Sequence, residues 1–116
     1  MGRIEEHLEC GVNLKNEGRY EEAQAELKIA LDIDFDSVEA HRQLGLVYGF
    51  IGLFDEAIEE LLTAVRLDEA HLGARNDLAL TYSMLGMCEE AKAEFEFVLT
   101  LDPNNETARK NIIYFV

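Results

Sequence analysis

Residues 18–23 read GRYEEA, residues 52–57 read GLFDEA and residues 86–91 read GMCEEA, so one phrase returns twice at an interval of 34 residues. Set in three rows beginning at Ile4, Val38 and Leu72, the whole chain falls into columns. Small residues align as Gly18/Gly52/Gly86, Ala23/Ala57/Ala91 and Ala30/Ala64 with Val98. Larger apolar residues align as Leu27/Leu61/Phe95, Leu31/Val65/Leu99 and Ile33/Leu67/Leu101. Agreement in so many columns marks an internal repeat, in which each unit buries its apolar face only against its neighbours.

Each row reads as two helices. The first carries small or apolar residues at helical spacing: Cys10, Gly11, Leu14, then Leu44, Gly45, Tyr48, then Leu78, Ala79, Tyr82. A glycine follows where a left-handed turn would end that helix. The second helix opens on acidic pairs, Glu21–Glu22, Asp55–Glu56 and Glu89–Glu90, which suit the positive end of a helix dipole. Ala23, Leu27, Ala30 and Leu31 continue it, and the alanines let paired helices approach closely. The polar joints DFDS, DEAH and DPNN separate the rows.

Composition narrows the function classes. The chain has 116 residues, 48% of them hydrophobic, with one Pro and no Trp, which allows one continuous core and argues against wholesale disorder. Ten Lys+Arg face 24 Asp+Glu, a net charge of −14. A field of that sign repels phosphate backbones and anionic lipid, so the expected partners are proteins, not nucleic acid or membrane. MGRIEEHLEC lacks the apolar centre of a signal peptide, and no stretch is long enough to span a bilayer. Gly2 follows Met1, but Glu6 stands where N-myristoylation wants Ser or Thr. Cys10 and Cys88 form no metal or redox spacing; a cytoplasmic chain with two reduced thiols is expected.

Catalytic constellations are scarce, and no enzyme activity and no cofactor are expected. There is no Gly-rich phosphate loop, GxSxG or HExxH. Asp32, Asp34 and Asp36 begin a calcium-loop spacing, but Ser37 replaces the needed Gly and Gln43 the closing Glu, so an inter-repeat joint is expected. His7 and His41 share a column, yet equivalent side chains of stacked helices lie about 10 Å apart, too far for one metal. They are expected to pack, partly buried. Cys10 and Cys88 sit in columns otherwise held by Leu or aromatic residues, which predicts core thiols in different repeats. Glu59–Glu60 and Glu89–Glu90 point to different helix faces and are expected to be solvated.

Leu44–Gly45 with Tyr48, Ala57 with Leu61, Ala91 with Phe95, and the closing LDPNN at 101–105 resemble the tetratricopeptide repeat pattern W-x₂-L-G-x₂-Y…A-x₃-F…P. The pattern's Trp is replaced by His7, His41 and Arg75, and its Pro is present only as Pro103. Pentatricopeptide repeats have a similar length and bind RNA, which the charge opposes; ankyrin's T-P-L-H phrase is absent. The resemblance implies an all-α right-handed superhelix in one domain, residues 1–116. Its units are three helix–turn–helix repeats at about 4–37, 38–71 and 72–105, plus a terminal helix at 106–116 that closes Ile112, Ile113 and Val116 over Phe95 and Leu99.

The resemblance also implies that the first helices line a concave groove that binds an extended peptide or a helix. Residues off the core stripe then face it: Leu8/Arg42/Asn76/Lys110, Val12/Leu46/Leu80/Tyr114, Lys15/Gly49/Ser83 and Asn16/Phe50/Met84. The second set is apolar throughout, although the same residues could simply seal helix packing. Phe50 and Met84 add an aromatic ring and an adaptable thioether. Lys15, Arg42 and Lys110 bring positive charge, so an apolar segment, with acidic flanks as one option, is the expected ligand. Some co-chaperones of this family hold acidic chaperone tails in a clamp of Lys, Asn, Asn, Lys and Arg. Here those places hold Leu8, Val12, Gln43, Gly73 and Asp77, which disfavours that role. The alternatives are a scaffold that self-associates through the apolar terminal helix, and a non-catalytic adaptor domain of a larger protein.

Overall fold

The computed structural model describes residues 3–115. Among them are seven helices: α1 (Ile4–Asn16), α2 (Tyr20–Ile33), α3 (Val38–Phe50), α4 (Phe54–Leu67), α5 (Leu72–Met84), α6 (Cys88–Leu101) and α7 (Glu106–Ile112). Each helix packs on the next, and α1 also touches α3 as α3 touches α5. The result is an α-solenoid measuring 49 × 26 × 20 Å, elongated because each unit meets only its neighbours.

The repeated phrase makes the turns. Gly18, Gly52 and Gly86 have φ of 80°, 84° and 75°, a region that favours glycine because a Cβ would clash with the backbone. The chain then folds back on itself: the N–H of Arg19, Leu53 and Met87 donates to the carbonyl of Leu14, Tyr48 and Tyr82 at 2.9 Å in every unit. These bonds satisfy carbonyls that a helix end would otherwise leave open. At the other joint, Ser37, His71 and Asn105 accept from the N–H of Ala40, Ala74 and Ala108 at 3.2, 3.0 and 3.0 Å. They are N-caps, a role each chemistry fills by offering a side-chain acceptor to an orphan amide. The Asp-rich joint also folds locally, with Asp34 Oδ1 accepting from the Asp36 N–H at 3.0 Å.

Within a unit, small residues seat large ones. A Cβ on Gly11 would lie 2.7 Å from Leu27 Cγ, and one on Gly45 would lie 2.9 Å from Leu61 Cγ. Leu27 and Leu61, seated this way, are fully buried, as is Phe95, which clusters with Ala79 at the equivalent place. The column that departs from the family's Trp holds each helix pair by a side-chain contact to a glutamate instead. His7 Nδ1 shares a 2.6 Å hydrogen bond with Glu26, His41 Nδ1 one of 2.8 Å with Glu60, and Arg75 donates to Glu94 at 2.9 Å. His41 also donates from Nε2 to the Phe35 carbonyl at 2.7 Å, and Arg75 lies 4.2 Å over the Phe97 ring. Glu60, expected in solvent, is therefore the partner of a buried histidine.

Three further expectations change. Cys10 and Cys88 are both exposed. Leu44 and Leu78, which share the Cys10 column, are buried because the preceding helix pair covers them; α1 has no such pair among the described residues. At the positions equivalent to Cys88, Tyr20 stacks on Phe50 of α3 and Phe54 lines the same cavity as Met84 of α5, whereas α7 ends at Ile112. The terminal helix itself is Glu106–Ile112, shorter than 106–116. Ile112 and Phe115 cover the Phe95 cluster, with the Phe95 and Phe115 rings 6.0 Å apart, while Ile113 is 62% exposed. Val116 lies outside the described residues.

Candidate functional site

A cavity of about 230 Å³ opens between α3 and α5. Gly45, Leu46, Gly49 and Phe50 of α3 form one wall, Asp77, Leu80, Thr81 and Met84 of α5 the other, and Phe54 of α4 joins them. A Cβ on Gly49 would meet nothing within 4 Å, so that glycine adds open room to the wall. The volume is below the roughly 300–1,000 Å³ of small-molecule pockets, and fits one or two side chains of a docked segment better. Phe50 and Met84 stand at 60% and 67% exposure, so apolar surface faces water on both sides. Phe50 is held in place by Tyr20, whose ring stacks on it at 5.4 Å and 15°.

A polar line crosses the first helices beside the cavity. Lys15 Nζ donates to Gln43 Oε1 at 2.6 Å, and Gln43 Nε2 donates to Glu39 at 2.7 Å. Arg42 Nε donates to Asp77 Oδ2 at 2.6 Å, and its Nη1 lies 3.8 Å from Glu39. The guanidinium rests against Gly73, where a Cβ would fall 2.9 Å from Arg42 Cζ. Burial, and then the charge of Arg42, push the Lys15 ammonium below the ordinary lysine value, against the smaller opposing pull of Asp77 and Glu39. Glu39 also comes within 3.9 Å of His71 Nε2.

The structure brings together only part of the residue set expected from the sequence. Leu46, Phe50, Leu80 and Met84 line the cavity. Leu8 and Val12 are half-buried on α1, with Leu8 packed on the core of the first two repeats. Asn16 is exposed at the end of α1. Lys15 and Arg42 sit in the polar line, engaged by neighbours rather than presented as a free basic rim. Lys110 is exposed, 3.7 Å from Glu106. Asn76 is buried and donates to Asn105 Oδ1 at 3.1 Å, leaving its own Oδ1 without a partner among the described residues. Tyr114 lies past the end of α7 and borders Cys88, Glu89, Lys92 and Phe115, away from Leu46 and Leu80.

Phe54, Thr81 and Asp77 were missing from that set. The signal for Phe54 was its column, Tyr20/Phe54/Cys88, which loses its aromatic ring only in the third unit. Asp77 gives no such signal, because its partner Arg42 belongs to the preceding repeat.

No curated protein sequence matches the chain. Among solved structures, the first tetratricopeptide domain of Spaghetti (RPAP3), bound to the HSP90 peptide SRMEEVD, superposes with a TM-score of 0.92 at 25% identity, covering 97% of this chain and 90% of that one. The second such domain of human RPAP3, in complex with the HSP70 peptide SGPTIEEVD, gives 0.86 at 26% identity, with 94% and 91% covered. MamA gives 0.87 at 27% identity, covering 94% of this chain and 64% of its own. A sequence profile described as Tetratricopeptide repeat matches residues 38–71 and 72–105, the second and third units. With that pattern in two units and the same helix–turn–helix built in the first, the chain belongs to the tetratricopeptide repeat family.

Proposed function

We propose that this chain is a protein–protein interaction module that seats an apolar segment of a partner on the face formed by its first helices. The observation that carries the reading is the cavity between α3 and α5, lined by Leu46, Phe50, Phe54, Leu80 and Met84. The RPAP3 domains, similar in fold and solved with chaperone peptides, support a peptide as the ligand. Burial of apolar side chains would supply the affinity, with charge governing partner choice and association rate. The groove residues have no catalytic part in this reading, and a reducing, cytoplasmic setting suits two unpaired cysteines.

The carboxylate clamp of the co-chaperones does not carry over to these residues. Gly73, at one of its cationic places, is the bed on which the Arg42 guanidinium lies, and Asp77, at another, is an anion. Ile113 and Tyr114, 62% and 77% exposed, favour a second reading, self-association through the end of the solenoid.

The double substitution F50A/M84A tests the groove. Both side chains are largely exposed, so helical circular dichroism should be unchanged while binding to a displayed library of apolar peptides drops about tenfold or more. Unchanged binding by the folded variant removes the groove from the mechanism. Light scattering on the same samples separates the second reading, which requires a mass that rises with concentration.

A further inference from the structure

The groove reading says that an apolar side chain is seated; the charges around the cavity say what stands next to it. Asp77 is the one charged residue in the cavity lining. Its Oδ2 takes the Arg42 Nε–H, and Oδ1 makes no hydrogen bond with the described residues. Arg42 is shared between Asp77 and Glu39, and Glu39 also lies 3.9 Å from His71 Nε2. Lys15, the other cation nearby, donates to Gln43 and stands outside the cavity lining. The middle of the groove therefore offers an incoming carboxylate no uncommitted cation among the described residues, while Asp77, on the cavity wall, keeps one carboxylate oxygen without a hydrogen bond. The field of the whole chain, at a net −14, acts in the same direction.

We propose that the occupant of this groove is a basic-apolar segment of a partner protein, with one bulky apolar side chain in the cavity and a Lys or Arg beside it on Asp77. This rests on the peptide-binding reading above, and inverts the charge of the acidic segment that Lys15 and Arg42 suggest as bare sequence. The mechanism is a two-point contact. Phe50, Leu80 and Met84 bury the apolar residue, and Asp77 sets the sign of its neighbour, since a wrong-sign flank is repelled at a site where it finds no compensation.

The test uses three labelled synthetic peptides in fluorescence anisotropy: a central Phe flanked by Lys, the same Phe flanked by Glu, and the Lys-flanked sequence with Ala for Phe. The Lys-flanked Phe peptide should bind at least about tenfold tighter than either of the others. D77N, which keeps the side-chain shape and releases Arg42, should shrink or reverse the preference for Lys over Glu; D77S, also neutral at that position, gives the same reading should D77N melt early. Equal or tighter binding of the Glu-flanked peptide overturns this inference, and leaves the groove standing if F50A/M84A abolishes that binding. Equal binding of the Ala peptide reduces the contact to diffuse attraction by an acidic surface, and overturns it as well. Binding that ignores F50A/M84A, or no binding by any peptide, overturns both the inference and the groove reading.

Discussion

Helices α1 and α3 have the same length, 13 residues, and the same place in successive repeats, yet they live in different solvents. On α3, Ala40, Leu44 and Val47 are buried against the preceding helix pair. The equivalent residues on α1 are Glu6, Cys10 and Asn13, all exposed. The opposite faces of the two helices are alike, with Gly11 seated on Leu27 as Gly45 is on Leu61. One face of each helix thus answers to its own repeat and is constant. The other answers to whatever lies before it and varies. A helix position in a solenoid is decided by the neighbour across the joint as much as by its own period.

Substitutions at matched positions can break this comparison. The largest effect is expected for Ala40→Glu, which places a carboxylate at a fully buried site with no partner and should cost about 3–5 kcal/mol. The reciprocal Glu6→Ala should stay within about 0.5 kcal/mol. Thermal melts followed by circular dichroism read both, and similar losses would show the two faces to be equivalent after all. Next comes Leu44→Ala, expected to cost about 2–5 kcal/mol through a core cavity, against about 0.5 kcal/mol or less for Cys10→Ala in the same column. Urea midpoints measure this pair; a large loss for Cys10→Ala would mean that the thiol is covered in solution.

The smallest effect sharpens the contact between the two helices. Lys15 on α1 reaches Gln43 on α3, and burial together with Arg42 lowers its affinity for a proton. Its folded-state value lies below that of the unfolded chain, so between the two the unfolded state binds more protons. Stability therefore rises slightly as pH climbs through the window that ends at the ordinary value of 10.5. Nitrogen-detected NMR of the lysine side chains should find Lys15 titrating below that value. A Lys15 resonance at or above it would mean that the ammonium is better solvated than the geometry shows.

The architecture was legible because it is periodic. Gly18, Gly52 and Gly86 mark the turns, and Leu27, Leu61 and Phe95 mark the core, in columns that need no knowledge of neighbours. What failed was inference from a column to burial. Cys10 shares its column with two buried leucines but not their covering helix, and Cys88 shares its column with Tyr20 and Phe54 but not a long following helix. The cavity was half legible for a related reason. Leu46, Leu80, Phe50 and Met84 are aligned residues and meet in space. The pairing of Arg42 with Asp77 crosses from one repeat to the next between unaligned positions, so periodicity carries no trace of it. A count of lysines and arginines along the first helices then mistakes occupied charge for available charge.

The polar face of α1 also gives the array a fixed reading order. Three units with the same turns and the same seated core look interchangeable, but a permuted chain that moved the first unit behind the second would press Glu6 and Asn13 into the places of Ala40 and Val47. The reverse move would bare Ala40, Leu44 and Val47 to water. Shuffling the repeats of this protein would thus preserve every turn and every helix and still produce a different, poorer molecule, because direction is written on the faces between units and not within them.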